Sequence, residues 1–295
     1  GQLEREAETL GAASSFPDWI QISGASAHKL RGVDLRLARG AMTCFRGGVG
    51  SGKSTLLRDI LAPAVRRALS EGSSECDLPG GGRIAGVQGI EQLHQLDASP
   101  IARSERSVPA TYLGFWGGCR AVLASLPEAR VRGYAASRFS FNRAEGRCGL
   151  CQGMGTLRTR LELLPDVEGP CSRRAGSRFQ SEIVEVRYRG HSVADILQSS
   201  ASEAAELFAA FPKIVRSLRA MEQVGLGYLP IGRGLASLSG GERQRLKLAA
   251  ELQRLGGGSK LYIWDEPTAG LHHSDVGVLL DIMERMVSEG HTLWV

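Results

Sequence analysis

Three runs of residues carry groups that handle phosphate. Gly47-Gly-Val-Gly-Ser-Gly-Lys-Ser-Thr55 fits the spacing G-x-x-x-x-G-K-[ST], with Gly47, Gly52, Lys53 and Ser54 at the defining positions. Glycines let successive backbone N–H groups converge on phosphate oxygens, and Gly50, Ser51 and Thr55 complete the set. Lys53 adds a point charge for β and γ phosphates, and Ser54 offers a hydroxyl to Mg²⁺. Far downstream, Leu261-Tyr-Ile-Trp264 ends in adjacent carboxylates, Asp265 and Glu266. Asp265 is suited to hold the same Mg²⁺, directly or through water. Glu266 stands where a carboxylate can orient, or take a proton from, the water attacking a γ-phosphate. Between these runs, Leu238-Ser-Gly-Gly-Glu-Arg-Gln-Arg245 opens a helix-like stretch whose positive N-terminus suits a further phosphate.

These groups need rigid supports, and the flanking sequence supplies them. Met42–Phe45 reads as a strand and Ser54–Leu61 as a helix, the context a phosphate-binding loop requires. Leu261–Trp264 reads as a short buried strand. The next helix is expected to be capped by Ser274, to turn Val276, Leu279, Leu280, Met283 and Val287 inward, and to close at Gly290. The order of the three runs marks an ATP-binding-cassette ATPase. In that class two nucleotide domains pack head to tail, each signature closing the other's site. Ser239, Gly240, Gly241 and Glu242 are therefore expected to act in trans, on an ATP bound by a neighbouring cassette.

The chain has 295 residues, 42% apolar and 23% charged, an ordinary globular balance that excludes disorder over most of its length. Lys plus Arg number 36 against 31 Asp plus Glu, and the cationic side is almost wholly arginine. Arginine suits bidentate phosphate contacts, so nucleic acid is a reasonable partner. Genomic base composition gives the same bias. No run approaches the ~18–20 apolar residues of a membrane span, and GQLEREAETL has no signal-peptide core, so a soluble, cytoplasmic protein is expected. Cys148-x-x-Cys151 points to metal or redox thiols, while Cys44, Cys76 and Cys119 read as small core fillers.

Residues 62–237 separate the first helix from the signature, far more than a compact cassette needs, so a separate domain is expected there. The reading is an α/β P-loop cassette split by a long inserted α+β domain. Its divisions are an N-terminal flank 1–17, core 18–75, insert 76–220 with a zinc-module-like segment 138–180, and core 221–295. Gly72–Arg83 reads as a loop-like edge, Gln180–Arg189 as a strand, and His191–Phe211 as helical. With Gly1 at one end and a strand-like His291–Val295 at the other, the chain is expected to be a piece of a longer protein.

Arg138-Phe-Ser-Phe-Asn142, Gly146–Gly155, Leu164–Val167 and Cys171 resemble the second half of the bacterial UvrA excinuclease family. So do Ser99–Ile101, Pro109–Tyr112, Val224–Leu226, Leu238–Glu242 and Glu266–His272. The resemblance implies an ATP-dependent sensor of DNA damage in nucleotide excision repair. It implies ATP and Mg²⁺ as cofactors, and damaged double-stranded DNA as partner. It also implies a second cassette in the same longer chain, homodimerisation and a UvrB-like protein as partners.

Two positions depart from the family pattern. The family's zinc module needs C-x₂-C-x₁₉-C-x₂-C; Cys148, Cys151 and Cys171 keep that spacing, but the fourth position is Arg174. Three thiolates and an arginine do not close a tetrahedral site, so less than one equivalent of zinc is expected. Ala98 stands where the resemblance puts a glutamine linking nucleotide and Mg²⁺ to the insert, which implies weaker coupling. The alternatives are an ATP-binding DNA scaffold or drug-resistance paralogue with weak turnover, and, less compatible with the insert, a transporter ATPase. Arg103, Arg106, Arg120, Arg130, Arg132, Arg138, Arg143 and Arg147 interleave with Tyr112, Phe115, Trp116 and Tyr134, as phosphate binding and stacking require. Arg103 and Arg106 are the preferred DNA contacts.

Overall fold

The computed structural model describes residues 9–10, 19–48, 50–96, 106–159, 167–254, 257–268 and 273–295. Ala98, Arg103, Ser99–Ile101, Leu164–Asp166 and Leu271–His272 lie outside the described residues. The chain is α/β and forms two compact units, Gly1–Ser99 with Leu255–Val295, and Pro100–Arg254.

The first unit is built on strand Ser259–Trp264, where every residue after Ser259 is buried. Such a continuous apolar run fits a strand covered on both faces, the normal fate of a parallel strand. It pairs in parallel with Thr292–Trp294 on one side and with Ile90–Leu96 on the other. Thr292–Trp294 pairs in parallel with Met42–Thr43, which leads into the phosphate-loop sequence. Below lies helix Thr55–Leu61, π-wound, continuing as α-helix Ala62–Glu71. Leu56, Leu57, Ile60, Leu61, Ala64, Val65 and Ala68 recur at helical spacing and share one core with Leu261, Ile263 and Trp294. Each fully buried Leu or Ile there contributes about 1.5–3 kcal/mol.

A second, antiparallel sheet runs in the order Leu30–Ala38, Trp19–Ala27, Arg83–Ala85, Glu75–Asp77. Two of its strands fall in the stretch Gly72–Arg83 and just beyond, expected to be loop. Cys76 and Ile84 are buried between exposed neighbours, a true alternation, but three residues are too few for the period to stand out. Helix His273–Ser288 begins before Ser274, so that serine lies inside it rather than capping it. Its inner face is Leu279, Ile282, Met283 and Met286, and Leu280 is exposed, contrary to expectation.

The second unit is mostly helical. Helix Pro212–Gln223 starts on a proline and buries Ile214, Leu218 and Met221, and helix Gly240–Leu252 carries the signature. The expected strand at Gln180–Arg189 is instead helix Ser181–Glu185 followed by the tight hairpin Arg187–Tyr188 and His191–Ser192. Ile183 and Val186 are its buried positions, three apart, which is helical spacing. The helical stretch after His191 is two helices, Val193–Gln198 and Ala201–Leu207. The second begins at a capping box, in which Ser200 Oγ accepts from the Glu203 N–H and Glu203 accepts from the Ser200 N–H. Among the described residues no helix is long and apolar enough to cross a membrane.

Candidate functional site

The phosphate loop has the backbone its glycines predict. Gly50 and Gly52 lie at φ +76° and +100°, and a Cβ at Gly52 would meet Leu30 Cδ2 at 2.8 Å. Lys53 Nζ turns back onto the loop, donating to the carbonyls of Gly47 and Gly48 at 2.5 and 3.1 Å. Ser51 Oγ is buried without a hydrogen-bond partner. A buried orphan hydroxyl and an ammonium held only by carbonyls are satisfied together by a phosphate, so the loop fits that group.

The two groups expected to share a cation meet. Ser54 Oγ donates to Asp265 Oδ1 at 3.3 Å, across 211 residues of sequence. Asp265 is fixed from behind by its own N–H, which donates to Leu96 O at 3.1 Å on the neighbouring strand. Its other carboxylate oxygen is taken by a residue the sequence reading missed: Arg58 Nε lies 2.8 Å from Asp265 Oδ2. Arg58 follows Ser54 by four positions, hence on one face of one helix; that spacing was the available signal. Glu266 is exposed and sits at φ +53°, a left-handed conformation that costs a residue with a Cβ about 1 kcal/mol or more.

The signature helix begins with a complete capping box. Ser239 Oγ accepts from the Glu242 N–H at 3.1 Å, and the Ser239 N–H donates to Glu242 Oε2 at 2.7 Å. Tyr228 Oη donates to Glu242 Oε1 at 3.0 Å, and Arg233 stands 3.9 Å away. Burial works to raise the Glu242 carboxyl. The Ser239 N–H, the Tyr228 and Ser239 hydroxyls and Arg233 outweigh it and hold the group below the ordinary glutamate value. Glu242 is therefore an ionised brace for the helix start. Tyr228 and Arg233 have no motif spacing that would have singled them out.

The arginine and aromatic run of the second unit divides into surface and core. Phe115 and Trp116 are buried, 5% and 3% exposed, and Trp116 packs on Phe141, so neither can stack on a base. Tyr134 carries the Arg138 guanidinium 4.9 Å over its ring. Arg132 is paired with Glu128 and Glu185 at 2.8 and 2.7 Å. Arg106 lines a recess of about 350 Å³ with Ser107, Thr111, Tyr112 and Asn142. Arg103 lies outside the described residues.

Of the three cysteines read as core fillers, Cys76 and Cys119 are buried, and Cys44 is exposed. Burial pushes the Cys119 thiol up to about 12. Cys148, Cys151 and Cys171 come together in one buried cluster, with their Sγ atoms all within 4.8 Å of one another. A closed zinc site needs a fourth ligand. The sequence has Arg174 at that position, and the side chain of Arg174 lies outside the described residues.

No family model matches the chain. UvrABC system protein A of Haemophilus influenzae is 42% identical over 277 residues, covering 94% of this chain and 29% of that protein. The Thermus thermophilus protein of the same name is 44% identical over 278 residues, with the same coverage. The crystal structure of UvrA2 from Deinococcus radiodurans matches with a TM-score of 0.82 and 39% identity, over 99% of this chain and 35% of that one. The chain thus spans under a third of the length of the curated relatives it matches. Over 94% of its own length the chain is thus a homologue of UvrABC system protein A, at 42–44% identity and across 29% of that protein.

Proposed function

We propose that this chain is the ATP-binding and DNA-contacting part of a damage-recognition ATPase of nucleotide excision repair. The observation that carries the reading is the meeting of Ser54 and Asp265 at 3.3 Å, which joins the phosphate loop to the carboxylate strand. Lys53 and the amides of Gly47–Thr55 hold the ATP phosphates, and Ser54 and Asp265 hold Mg²⁺. Glu266 orients the attacking water. Ser239, Gly240 and Gly241 close the site of a neighbouring cassette, so ATP binds two cassettes together.

By sequence the core is assigned to 18–75 and 221–295, and the insert, with its degenerate zinc module, to 76–220; the compact units divide instead after Ser99 and after Arg254. DNA phosphates are read by Arg103 and Arg106, the latter supported by its place in the recess beside exposed Tyr112. A second cassette, a homodimer partner and a UvrB-like protein complete a cytoplasmic assembly. The Arg58 contact favours a second reading, an ATP-binding scaffold with weak turnover, because it occupies the carboxylate Mg²⁺ needs.

ATP hydrolysis by the full-length protein, with and without damaged duplex, separates the two. Turnover stimulated by DNA and lost in Glu266→Gln supports the enzyme. DNA binding with no turnover leaves the scaffold. For the DNA contact, Arg106→Ala should lower the salt slope of duplex binding by about 1, and an unchanged slope removes it from the contact surface.

A further inference from the structure

The signature helix carries a charge conflict at its start. Ser239 and Gly240 are exposed, and a Cβ at Gly240 would meet no atom within 4 Å, so the first amides stand open. The N-terminus of a 13-residue helix attracts an anion. Yet Glu242, in the same first turn, is itself an ionised carboxylate, only 8% exposed. Its full negative charge exceeds the roughly half-unit positive charge of a helix end. Uncompensated, it makes that end repel a phosphate.

Residues ahead of the helix remove the conflict. Tyr228 Oη donates to Glu242 Oε1 at 3.0 Å, and Arg233 Nη1 lies 3.9 Å from the same oxygen. The Ser239 N–H donates to Oε2 at 2.7 Å, so both carboxylate oxygens are engaged by donors of this chain. Ser239 Oγ accepts from the Glu242 N–H at 3.1 Å, which leaves its O–H for a further acceptor.

The cations of the helix itself are committed to backbone: Arg243 donates to Leu238 O and Arg245 to Gly225 O. Arg233 arrives instead from the preceding loop, and that loop is pinned. Ile231 N–H donates to Ser199 O at 3.0 Å, and Gly232 N–H donates to Leu197 O at 2.7 Å. A Cβ at Gly232 would lie 2.6 Å from Leu197 O, so the loop is held too closely there for any side chain.

We propose that Arg233 and Tyr228 are positioning residues of the signature: they fix the Glu242 carboxylate and neutralise it, so that the helix start stays attractive to the γ-phosphate of an ATP on a neighbouring cassette. This rests on the reading of the signature as acting in trans. Arg233 supplies the unit charge that cancels Glu242, and the amide dipole is what remains at Ser239 and Gly240. Tyr228 keeps one carboxylate oxygen in that arrangement. The Arg233 side chain is 42% exposed, so the pairing does not require its full desolvation. In this role neither residue touches the nucleotide.

The test is calorimetric binding of Mg²⁺–ATPγS and Mg²⁺–ADP to the full-length protein, because ADP lacks the phosphate on which the masking acts. Arg233→Met should weaken one class of ATPγS sites about 5- to 10-fold, the effect of one uncompensated charge near a half-exposed anion. ADP affinity should stay within about 2-fold, and Arg233→Lys should restore ATPγS binding. Tyr228→Phe, which keeps the charge pair, should cost ATPγS about 2- to 3-fold. Glu242→Gln keeps the capping box and removes the charge, so in that background Arg233→Met should cost less than about 2-fold. An equal loss in both backgrounds would overturn the proposal, because Arg233 would then meet the phosphate directly. So would an equal loss for ADP, the mark of a merely structural role, or no loss at all. Ser239→Asp separates the two layers: if it leaves ATPγS binding intact, the trans reading fails and takes this proposal with it. If Ser239→Asp weakens ATPγS and Arg233→Met does not, the masking alone is wrong. Arg233→Gln replaces Arg233→Met should the latter not fold.

Discussion

Arg58→Ala should tighten Mg²⁺ binding. Both oxygens of Asp265 are engaged, Oδ1 by the Ser54 hydroxyl and Oδ2 by Arg58 at 2.8 Å. A cation that takes this carboxylate must work against a guanidinium already in contact. The pair is unequal in exposure, 41% for the Arg58 side chain and 9% for that of Asp265. An exposed ion pair contributes about 0.2–1 kcal/mol, and a hydrogen bond to a charged group about 1.5–3 kcal/mol. A half-screened contact lies between, at about 1–2 kcal/mol. Removing it converts to a roughly 5- to 30-fold fall in the apparent Mg²⁺ dissociation constant. The assay is a Mg²⁺ titration at saturating ATP, followed by calorimetry or by Mn²⁺ as a spectroscopic substitute. Asp265→Asn serves as the variant that loses the metal. Unchanged or weaker Mg²⁺ binding in Arg58→Ala would refute the reasoning, because Arg58 would then be a spectator or a support of the loaded site.

Two further outcomes follow from named contacts. Ser239→Ala removes one half of the capping box and should cost about 1 kcal/mol, read as a fall in melting temperature of about 2–4 °C. Ser239→Asp keeps the cap, so it should restore stability and, with its negative charge, still fail to support ATP-dependent association of two cassettes. His291 is buried, and burial first and then the nearby Lys260 depress its pKa, against a smaller opposing pull from Glu289. Its folded pKa lies below the unfolded value, so its contribution to stability is complete above about pH 6.5 and is lost as pH falls through the folded value. A chemical-denaturation series from pH 7.5 to about 5 should show this loss, reduced in His291→Asn.

The sequence made the chemistry legible where residue type and spacing were both demanding. A glycine loop followed by Lys53 and Ser54, or an apolar strand ending in Asp265 and Glu266, has few physical uses, and the contact between Ser54 and Asp265 was foreseeable from them. It was silent where a contact depends on which of many similar residues faces inward. Phe115 and Trp116 look like stacking platforms beside arginines until burial, for Trp116 against Phe141, removes them from the surface. Arg58 looks like one more exposed cation. Short strands such as Glu75–Asp77 and Arg83–Ala85 escaped because a two-residue period cannot be read in three residues.

The carboxylate strand also explains how so long an interruption is tolerated. Ile90–Leu96 and Ser259–Trp264 pair in parallel, with Leu96 opposite Trp264, although the whole of the second unit separates them in sequence. Loop-closure entropy grows only as the logarithm of length, about 0.6 kcal/mol per doubling, whereas a buried Leu or Ile returns about 1.5–3 kcal/mol. A few buried contacts among Leu261, Ile263 and Ile60 therefore outweigh the cost of closing over an independently compact unit. Asp265 then sits at the carboxyl end of a parallel strand, where α/β sheets bind their ligands. The same logic makes the pairing strand the sensitive point: Ile263→Ala should cost about 2–5 kcal/mol and weaken nucleotide binding with stability, although Ile263 is buried and lies two residues short of Asp265. A variant that lost stability and kept full ATP affinity would show that the carboxylate is positioned by Leu96 and Arg58 rather than by the packing of its own strand.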